Sequence, residues 1–248
     1  MISAVLFISF FVFLILGVPI ALCLGLSSVC AILYSGTSLT IVATNMYSGI
    51  SKFLLLAIPF FVLSGNIMAK AGISRRLIDF VDTCVGHKKG GIAIVCVIVS
   101  CFFGAISGSN PATVAAIGGI CAPKMIEKGY SREDAAAIAA SSGTLGVVIP
   151  PSIPMVTYAV TASVSVTAMF EAGWIPGIML IIGLCIGNMF WYKHCDSVDK
   201  TKYPVKVYVD RFVKAILALL MPIIILGGIY AGIFTPTESA SVACIYAL

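Results

Sequence analysis

The sequence predicts an all-α polytopic membrane protein, and two observations carry this prediction. The 248-residue chain is 60% hydrophobic and 10% charged. It contains several apolar stretches of roughly 20 residues, the length at which a helix crosses a bilayer. In addition, 14 of its 15 Lys and Arg residues fall in three stretches, Lys70–Lys89, Lys124–Arg132 and Lys193–Lys214. Because positively charged loops stay on the cytoplasmic side, the net charge of +5 indicates topology and not nucleic-acid binding.

The first third of the chain predicts two membrane-inserted regions and one surface helix. Ile2–Tyr34 is apolar but interrupted at Gly17-Val18-Pro19, which makes it long for one span and short for two. Gly36–Lys52 is polar and nearly uncharged, so it is expected outside, and Phe53–Ala69 then crosses inward. In Ile73–Val85 the apolar residues gather near one helical face, which fits an interfacial amphipathic helix. A solvated loop with helical character is the alternative.

The stretch Ile92–Ala122 predicts a re-entrant helical hairpin. It has no charged residue, and the break Ser107-Gly108-Ser109-Asn110-Pro111 lies near its middle. Basic residues flank both ends, so both ends are expected on the cytoplasmic face, which a single span cannot achieve. Non-helical backbone at membrane depth is tolerated where protein or water covers it, typically at a transport site.

A second broken segment covers residues 135–166. Ala135–Ser142 favours a helix, Gly143–Pro151 is not expected to continue one, and Ile153–Val166 can resume it. Adjacent prolines remove two backbone donors and clash with the preceding turn. Although a simple proline kink is the plainer reading, the density of Gly and Pro favours a helix that unwinds halfway across the bilayer.

The last third continues the alternation of spans and loops. Trp174–Tyr192 returns to the inside, where Lys193–Lys214 forms a basic connection with a possible lateral helix, VKVYVDRFVK. Ala215–Phe234 crosses outward, and Ser239–Leu248 begins another apolar run of only ten residues. The chain is therefore expected to be a piece of a longer protein.

The two breaks together predict a site for a cation beside an anion. Ser109 or Asn110 can cap the second half-helix and Pro111 suits its first turn, so free N–H groups and the positive helix end would face an anion such as a carboxylate. Carbonyls freed at the ends of the broken helices suit sodium. Close helix packing is the alternative role for such Ser/Gly pairs. The predicted sodium ligands are Ser107, Ser109, Gly143, Gly146, Ile149 and Pro151, and the predicted substrate-binding residues are Ser109, Asn110 and Thr113.

The distribution of titratable residues favours sodium over protons as the coupling ion. Glu171 and Glu238 fall at predicted external ends, and His87 and His194 lie in predicted cytoplasmic loops. An intramembrane proton relay requires buried Asp, Glu or His. The nine cysteines form no CxxC pattern or metal-ligand spacing, so no cofactor is expected beyond the coupling ion.

Five motifs resemble the large membrane subunit of TRAP transporters, the tripartite ATP-independent periplasmic family. They follow in the family's order along nearly the whole chain, and the ISGS and TLG..IPPSIP elements are the more specific ones. After SGS, family members often carry a small residue and Asp or Glu, whereas this chain has Asn110-Pro111-Ala112-Thr113, which leaves the substrate class open. The motifs are LGVPIALCLGLSS (16–28), LLAIPFFVLSGNIM (55–68), FFGAISGSNPATVAAIGG (102–119), SSGTLGVVIPPSIPMVTYA (141–159) and GGIYAGIFTPTESASVA (227–243).

The resemblance implies an elevator-type transporter of two inverted repeats in the bacterial inner membrane, driven by sodium. It implies a small four-helix membrane subunit and a periplasmic binding protein that delivers an organic acid. On this reading, residues 1–90 supply scaffold helices and an amphipathic arm, and residues 91–192 the transport element with the hairpin 92–122. Residues 193–248 would begin the second repeat, and the second hairpin would be missing.

Three alternatives stay open at the level of sequence. An ABC importer permease has a cytoplasmic loop similar to Glu133-Asp134-Ala135-Ala136, but Gly143 follows too late here. An intramembrane protease would use Ser107 as its nucleophile, yet no histidine, lysine or aspartate pair at membrane depth would activate it. A purely structural membrane subunit is the third. Catalysis is not expected.

Overall fold

The computed structural model describes residues 1–88, 90–192 and 204–248, and the secondary structure in that part of the chain is entirely helical. The predicted all-α class is therefore confirmed. Contacts divide the chain into two units, Met1–Lys52 and Phe53–Leu248. The helices of the first unit are α1 (Ile2–Ile15), α2 (Ile20–Ser35) and α3 (Thr40–Ile50). Those of the second unit, after a 3₁₀ turn at Phe53–Leu56, are α4 (Ala57–Lys70), α5 (Ile73–Val85), α6 (Gly91–Ser107), α7 (Asn110–Thr113), α8 (Gly119–Glu127), α9 (Arg132–Gly143), α10 (Leu145–Val148), α11 (Ile153–Ala162), α12 (Val166–Trp191), α13 (Val205–Tyr230) and α14 (Pro236–Ala247).

The first unit is a helical hairpin followed by a short helix. Gly17 adopts φ +79° at the end of α1, and Pro19 directly precedes α2, so the predicted interruption divides the apolar stretch into two helices. α1 and α2 pack against each other. Gly36–Lys52 was expected only as a polar connection, but most of it forms α3, where Thr44 Oγ1 donates to the Thr40 carbonyl at 3.0 Å. This bond satisfies the hydroxyl group within the helix, so the polar side chain needs no partner elsewhere.

Four helical stretches in the described residues are long and apolar enough to cross a membrane. They include both 26-residue helices, α12 and α13. The stretches are Phe53–Lys70, Arg132–Ala162, Val166–Trp191 and Val205–Tyr230.

The predicted amphipathic helix is present as α5. Its apolar side chains Leu77, Ile78 and Val81 are buried, and the helix packs against α6 and α13. Arg211 on α13 donates through Nη1 to Thr83 Oγ1 at 2.7 Å and to the Asp79 carbonyl at 3.0 Å. The apolar face of α5 is thus covered by protein, and whether its outer face lies at a membrane interface stays a prediction.

The prediction of a separate lateral helix, VKVYVDRFVK, is wrong. Residues 205–230 form one continuous helix, which passes through Lys214 and Ala215 without a break. Residues 193–203 of the predicted basic connection, including His194, lie outside the described residues, as does Lys89.

The last helix, α14, begins with a capping box and packs against α4 and α13. Thr235 N and Thr235 Oγ1 both donate to the Glu238 carboxylate at 2.8 Å. These bonds hold the pKa of Glu238, outside the four candidate spans, below its ordinary value. A helix therefore starts at the sequence TPTE, where the apolar run begins.

Candidate functional site

The first break lies at Gly108 and Ser109, between α6 and α7. Gly108 N closes the end of α6 on the Gly104 carbonyl at 2.8 Å, and Gly108 adopts φ +61°, a conformation that favours glycine. Ser109 is extended, and Pro111 follows in the first turn of the next helix, where its missing donor is not needed. The break falls within the predicted stretch 107–111.

The second limb after this break is a helix with a wide turn. α7 and α8 are joined by a π-helical segment, Val114–Gly118, and α6 contacts α7, this segment and α8 in turn. The two limbs therefore form an antiparallel helical hairpin. That it dips into the membrane and returns stays a prediction. Nothing in the sequence pattern predicted the π-helical turn, a feature that often marks functional sites.

The second break is shorter than predicted. Gly143–Pro151 was expected not to be helical, but Leu145–Val148 form the turn α10, and the extended residues are Ile149 and Ser152 around the two prolines. Pro150 and Pro151 have no N–H to offer the carbonyls four residues earlier, which belong to Gly146 and Val147. Ser152 Oγ donates to the Val147 carbonyl at 2.6 Å, whereas Pro150 has no N–H to donate to the Gly146 carbonyl.

The two breaks meet. Ile153 N, at the start of α11, donates to the Gly108 carbonyl at 3.1 Å. A Cβ on Gly108 would lie 2.9 Å from the Pro151 carbonyl oxygen, and a Cβ on Gly104 would lie 2.7 Å from Gly146 Cα. Contacts this short exclude a side chain, so the helices touch backbone to backbone. We call this region, Gly104–Thr113 with Gly143–Ile153, the junction.

Buried hydroxyl groups line the junction. The side chains of Ser107 and Thr113 are 1% and 0% exposed, and their hydroxyl oxygens lie 3.3 Å apart. Ser109 N donates to Ser107 Oγ at 3.4 Å, and Thr113 Oγ1 donates to the Ser109 carbonyl at 2.8 Å. A Cβ on Gly146 would lie 2.6 Å from Thr113 Oγ1 and 2.8 Å from the Ser109 carbonyl oxygen. The Thr113 hydroxyl and the Ser109 carbonyl oxygen thus lie against Gly146, and the Ser107 hydroxyl lies next to that of Thr113.

The structure brings most, but not all, of the predicted site residues together. Ser107, Ser109, Thr113, Gly146 and Pro151 adjoin the point where the breaks meet. Gly143 lies one turn away, where a Cβ would be 2.8 Å from Asn110 Oδ1.

Ile149 was predicted as a sodium ligand through its main-chain carbonyl. Its buried side chain packs in an apolar cluster with Val97, Ala105 and Leu145, which does not test that prediction. The Ser109 carbonyl, moreover, already accepts from both Thr113 N and Thr113 Oγ1. The assignment of these residues as ligands stays a prediction.

A cavity of about 300 Å³ opens beside the hairpin tip, and its wall includes a residue that the sequence reasoning missed. Asn66 on α4 lines this tip cavity together with Ser107 and Ser109. The neighbouring Gly65 allows the approach, because a Cβ there would lie 2.9 Å from Ser107 Cβ. An amide inside a mainly apolar stretch was the available signal, since polar groups at membrane depth usually have a functional role.

The junction offers oxygen ligands without a carboxylate. No group of three His, Cys, Asp or Glu side chains that could hold a metal ion occurs in the part of the chain that the structure describes. Hydroxyl and main-chain carbonyl oxygens at interrupted helices are the ligands that sodium takes in membrane proteins. The helix that starts at Asn110 meanwhile directs its first N–H groups and positive dipole end toward the break, as an anion requires.

Two broken helices that meet at their breaks are typical of helical membrane transport proteins, and comparison with known proteins identifies the family. The family described as "Tripartite ATP-independent periplasmic transporter, DctM component" matches residues 7–248. The chain belongs to this family and is part of a membrane transport subunit. The match does not favour the ABC importer permease.

Relatives with known names agree with this assignment. The chain is 42% identical to the isethionate TRAP transporter permease protein DctMQ of Oleidesulfovibrio alaskensis, over 98% of this chain and 39% of that protein. It is 44% identical to the C4-dicarboxylate TRAP transporter large permease protein DctM of Pseudomonas aeruginosa, over 90% of this chain and 52% of the relative. With the sialic acid TRAP transporter large permease protein SiaM of Vibrio cholerae it shares 38% identity, over 88% of this chain and 51% of the relative. The chain thus spans about half the length of most of these relatives.

Proposed function

We propose that this chain supplies the first half of the permease of a sodium-driven importer of a small organic acid. The observation that carries the proposal is the junction, where the backbone of one broken helix bonds to the tip of another at Ile153 and Gly108. Helices interrupted in this way expose carbonyls to a cation and N–H groups to an anion at neighbouring points. Sodium and the acid would therefore bind side by side.

Sodium fits the junction better than a proton does. The polar groups next to Gly146 are the Thr113 hydroxyl and the Ser109 carbonyl, which do not titrate near neutral pH. Coupling to a proton gradient requires a group that changes its charge during the cycle. The Ser107 and Thr113 hydroxyls and the carbonyls of Gly146 and Pro151 are the proposed ligands.

An acid is the substrate class that the site and the relatives support. The named substrates of the relatives are isethionate, C4-dicarboxylates and sialic acid, each of which carries a negatively charged acid group. In this chain the acid group would bind at the N-terminus of α7, near Ser109, Asn110 and Thr113, and Asn66 would contribute from the facing wall of the tip cavity.

The rest of the proposed importer follows from the family. A small membrane subunit and a periplasmic binding protein would complete the transporter, and the fused name DctMQ of one relative supports the first of these partners. The importer would lie in the bacterial inner membrane with several spans, surrounded by lipid. Its hairpin would be re-entrant and move in an elevator cycle, and the protein would have no enzymatic activity or cofactor besides sodium.

Uptake into proteoliposomes tests the proposed function. The complete transporter with its binding protein is reconstituted into proteoliposomes. Entry of radiolabelled acids is then followed in three separate assays, with a sodium gradient, with a proton gradient, or with ATP on both sides of the membrane. We expect accumulation with the sodium gradient alone. Accumulation that requires ATP or a proton gradient, in the absence of sodium, would refute sodium coupling.

A further inference from the structure

The tip cavity is bounded by α4 and by the second limb of the hairpin. On α4, the wall residues Val62, Asn66 and Ala69 lie about one turn apart and so share one helical face. The second limb presents only small side chains to the cavity: Ala112, Ala115 and Ala116. These alanines leave a space of about 300 Å³, which is at the lower end of the range for small-molecule sites and suits a short ligand.

The side-chain amide of Asn66 is accessible from the cavity and has no partner among the described residues. Asn66 is exposed, and no hydrogen bond within the described part of the chain involves its side chain. It nevertheless lies in Phe53–Lys70, one of the stretches that are apolar enough to cross a membrane. A polar group at membrane depth is unfavourable unless water, protein or a ligand satisfies it. The amide is therefore available to a ligand in the tip cavity.

The other polar wall residues belong to the hairpin tip. Ser107 is 1% exposed, and its hydroxyl oxygen lies 3.3 Å from Thr113 Oγ1 and accepts from Ser109 N at 3.4 Å. This hydroxyl is thus already engaged within the hairpin. Ser109 lies on the side where the proposed function places the acid group. Asn66 is on the opposite wall, where it would contact a different part of a bound acid.

The chemistry of the α4 wall favours a hydroxyl group over a second carboxylate. No charged side chain lines the tip cavity in the part of the chain that the structure describes, and Lys70, one turn beyond Asn66, is not a wall residue. A carboxylate beside Val62 and Ala115 would lose its hydration without gaining a countercharge. An amide offers both a donor and an acceptor, as a hydroxyl does, whereas a carboxylate can only accept. The amide and a hydroxyl are therefore complementary.

We propose that Asn66 is a specificity-determining residue that binds a hydroxyl group of the transported acid, so that the substrate class is a short hydroxylated acid. The Asn66 N–H donates to the hydroxyl oxygen, or the hydroxyl donates to Asn66 Oδ1, while the acid group stays near Ser109, Asn110 and Thr113. This inference rests on the proposed function and names the substrate class of the same site.

Pairs of acids that differ by one hydroxyl group test the proposal. The complete transporter in nanodiscs, without its binding protein and with saturating sodium, is titrated with isethionate or ethanesulfonate, and with malate or succinate. The rise of the thermal unfolding midpoint with concentration gives each affinity. In at least one pair, the hydroxylated acid should bind about fivefold more tightly, the size of one hydrogen bond. The absence of this preference in both pairs would overturn the proposal.

Substitution of Asn66 separates a direct contact from a structural role. Asn66→Leu removes the amide at similar volume and should bring the affinity ratio of the pair close to one, whereas a distorted site would weaken both acids equally. Asn66→Ser keeps a donor and an acceptor and should restore part of the ratio. If Asn66→Leu does not assemble, Asn66→Ala is measured in its place and should give the same result.

Asn45 provides the matched control, because it is an exposed asparagine on α3 and is not a wall residue of the tip cavity. Asn45→Leu should leave the affinity ratio unchanged. An unchanged ratio in the Asn66 variants, or an equal effect of Asn45→Leu, would overturn the role of Asn66. So would a preference for succinate over malate that Lys70→Gln abolishes, because a positive charge would then select the substrate.

Uptake separates a failure of this inference from a failure of the proposed function. Where the wild-type transporter accumulates an acid with sodium, Asn66→Leu should leave the half-saturating sodium concentration unchanged. Absence of sodium-driven uptake in the wild type refutes the proposed function, whatever the paired acids show. Sodium-driven uptake without a hydroxyl preference in either pair refutes only the role of Asn66 and the hydroxylated substrate class.

Discussion

At the scale of single residues, the junction depends on glycines whose hydrogen atoms face another backbone. Gly104 on α6 lies directly against Gly146, and Gly65 on α4 lies against Ser107. Small residues at such crossings let helices in a membrane approach closely, which dispersion forces and short polar contacts then stabilise. The positions at which a methyl group has no space therefore outline the site.

Substitution of one of these glycines should destabilise the protein, although alanine favours the helix itself. Gly104→Ala places a Cβ 2.7 Å from Gly146 Cα, and the resulting overpacking is expected to lower the stability by about 1–3 kcal/mol. The measurement is the thermal unfolding midpoint of the assembled transporter. Gly183→Ala on α12 is the matched control, since a Cβ there meets nothing within 4 Å. An equal midpoint for both variants would contradict the close contact.

The residues predicted for the site illustrate what a sequence can and cannot predict. Pro150 and Pro151 reveal a break because proline cannot donate a hydrogen bond, and this is a local property. The contact between Asn66 and the hairpin tip is not local, since it depends on how α4 packs beside α6. The same holds for Ile149, whose side chain enters an apolar cluster that no spacing in the sequence indicates.

At the scale of helices, hydrogen bonds from Arg211 link α13 to α5. It donates to the Thr83 hydroxyl and the Asp79 carbonyl, and the rings of Phe80 and Phe212 lie 5.5 Å apart beside it. Arg211→Met should lower stability by about 1.5–3 kcal/mol, the range for hydrogen bonds to charged groups. Thermal unfolding of the assembled transporter measures the change.

Lys214 serves as the control for Arg211. Its only ion pair among the described residues joins it to Asp210 on the same exposed helix surface. Such i,i+4 pairs contribute about 0.3–0.5 kcal/mol. Lys214→Met should therefore leave the unfolding midpoint nearly unchanged, and an equal loss in both variants would show that Arg211 has no special role.

The helical hairpin predicts that its two open ends lie on one side of the membrane. Lys88 precedes α6 and Lys128 follows α8, and the two limbs run antiparallel. In a cysteine-free background, Lys88→Cys and Lys128→Cys should both resist an impermeant reagent from outside and react once the membrane is opened. A cysteine at Ser38, in the predicted external connection, should react from outside. Labelling of Lys88→Cys and Lys128→Cys from opposite faces would make Ile92–Ala122 a complete span.

The elements show the same division between local and long-range information. Gly17 and Pro19, Gly108 and Ser109, and the double proline mark real helix ends, because each changes the backbone itself. The continuity of α13 was not predicted, because the charged residues up to Lys214 suggested that one helix ends there and another begins. The backbone continues as a single helix through this point. A helix with exposed charges can enter a membrane-spanning stretch without any interruption.

At the scale of the whole molecule, the chain contains one pair of broken helices that meet at their breaks, and it spans about half the length of most of the relatives it matches. The junction in this half offers oxygen ligands on one side, formed by Ser107, Thr113 and the backbone at Gly146. On the proposed function, the part of the relatives that this chain does not match would complete the binding site of the acid. Sodium binding at the junction, by contrast, should depend on residues of this chain.

The dependence of unfolding on sodium measures that expectation most directly. A ligand that binds only the folded protein adds about 1.4 kcal/mol of stability for each tenfold rise in concentration above its Kd. The assembled wild-type transporter should gain stability with sodium chloride but not with choline chloride, and Gly183→Val should behave in the same way. Gly146→Val, selected for normal assembly, should lose the response, whereas Ser107→Ala should weaken it less, because carbonyl ligands survive removal of a side chain. Equal responses to sodium and choline in the wild type, or a full sodium response in Gly146→Val, would place the ion elsewhere or exclude it.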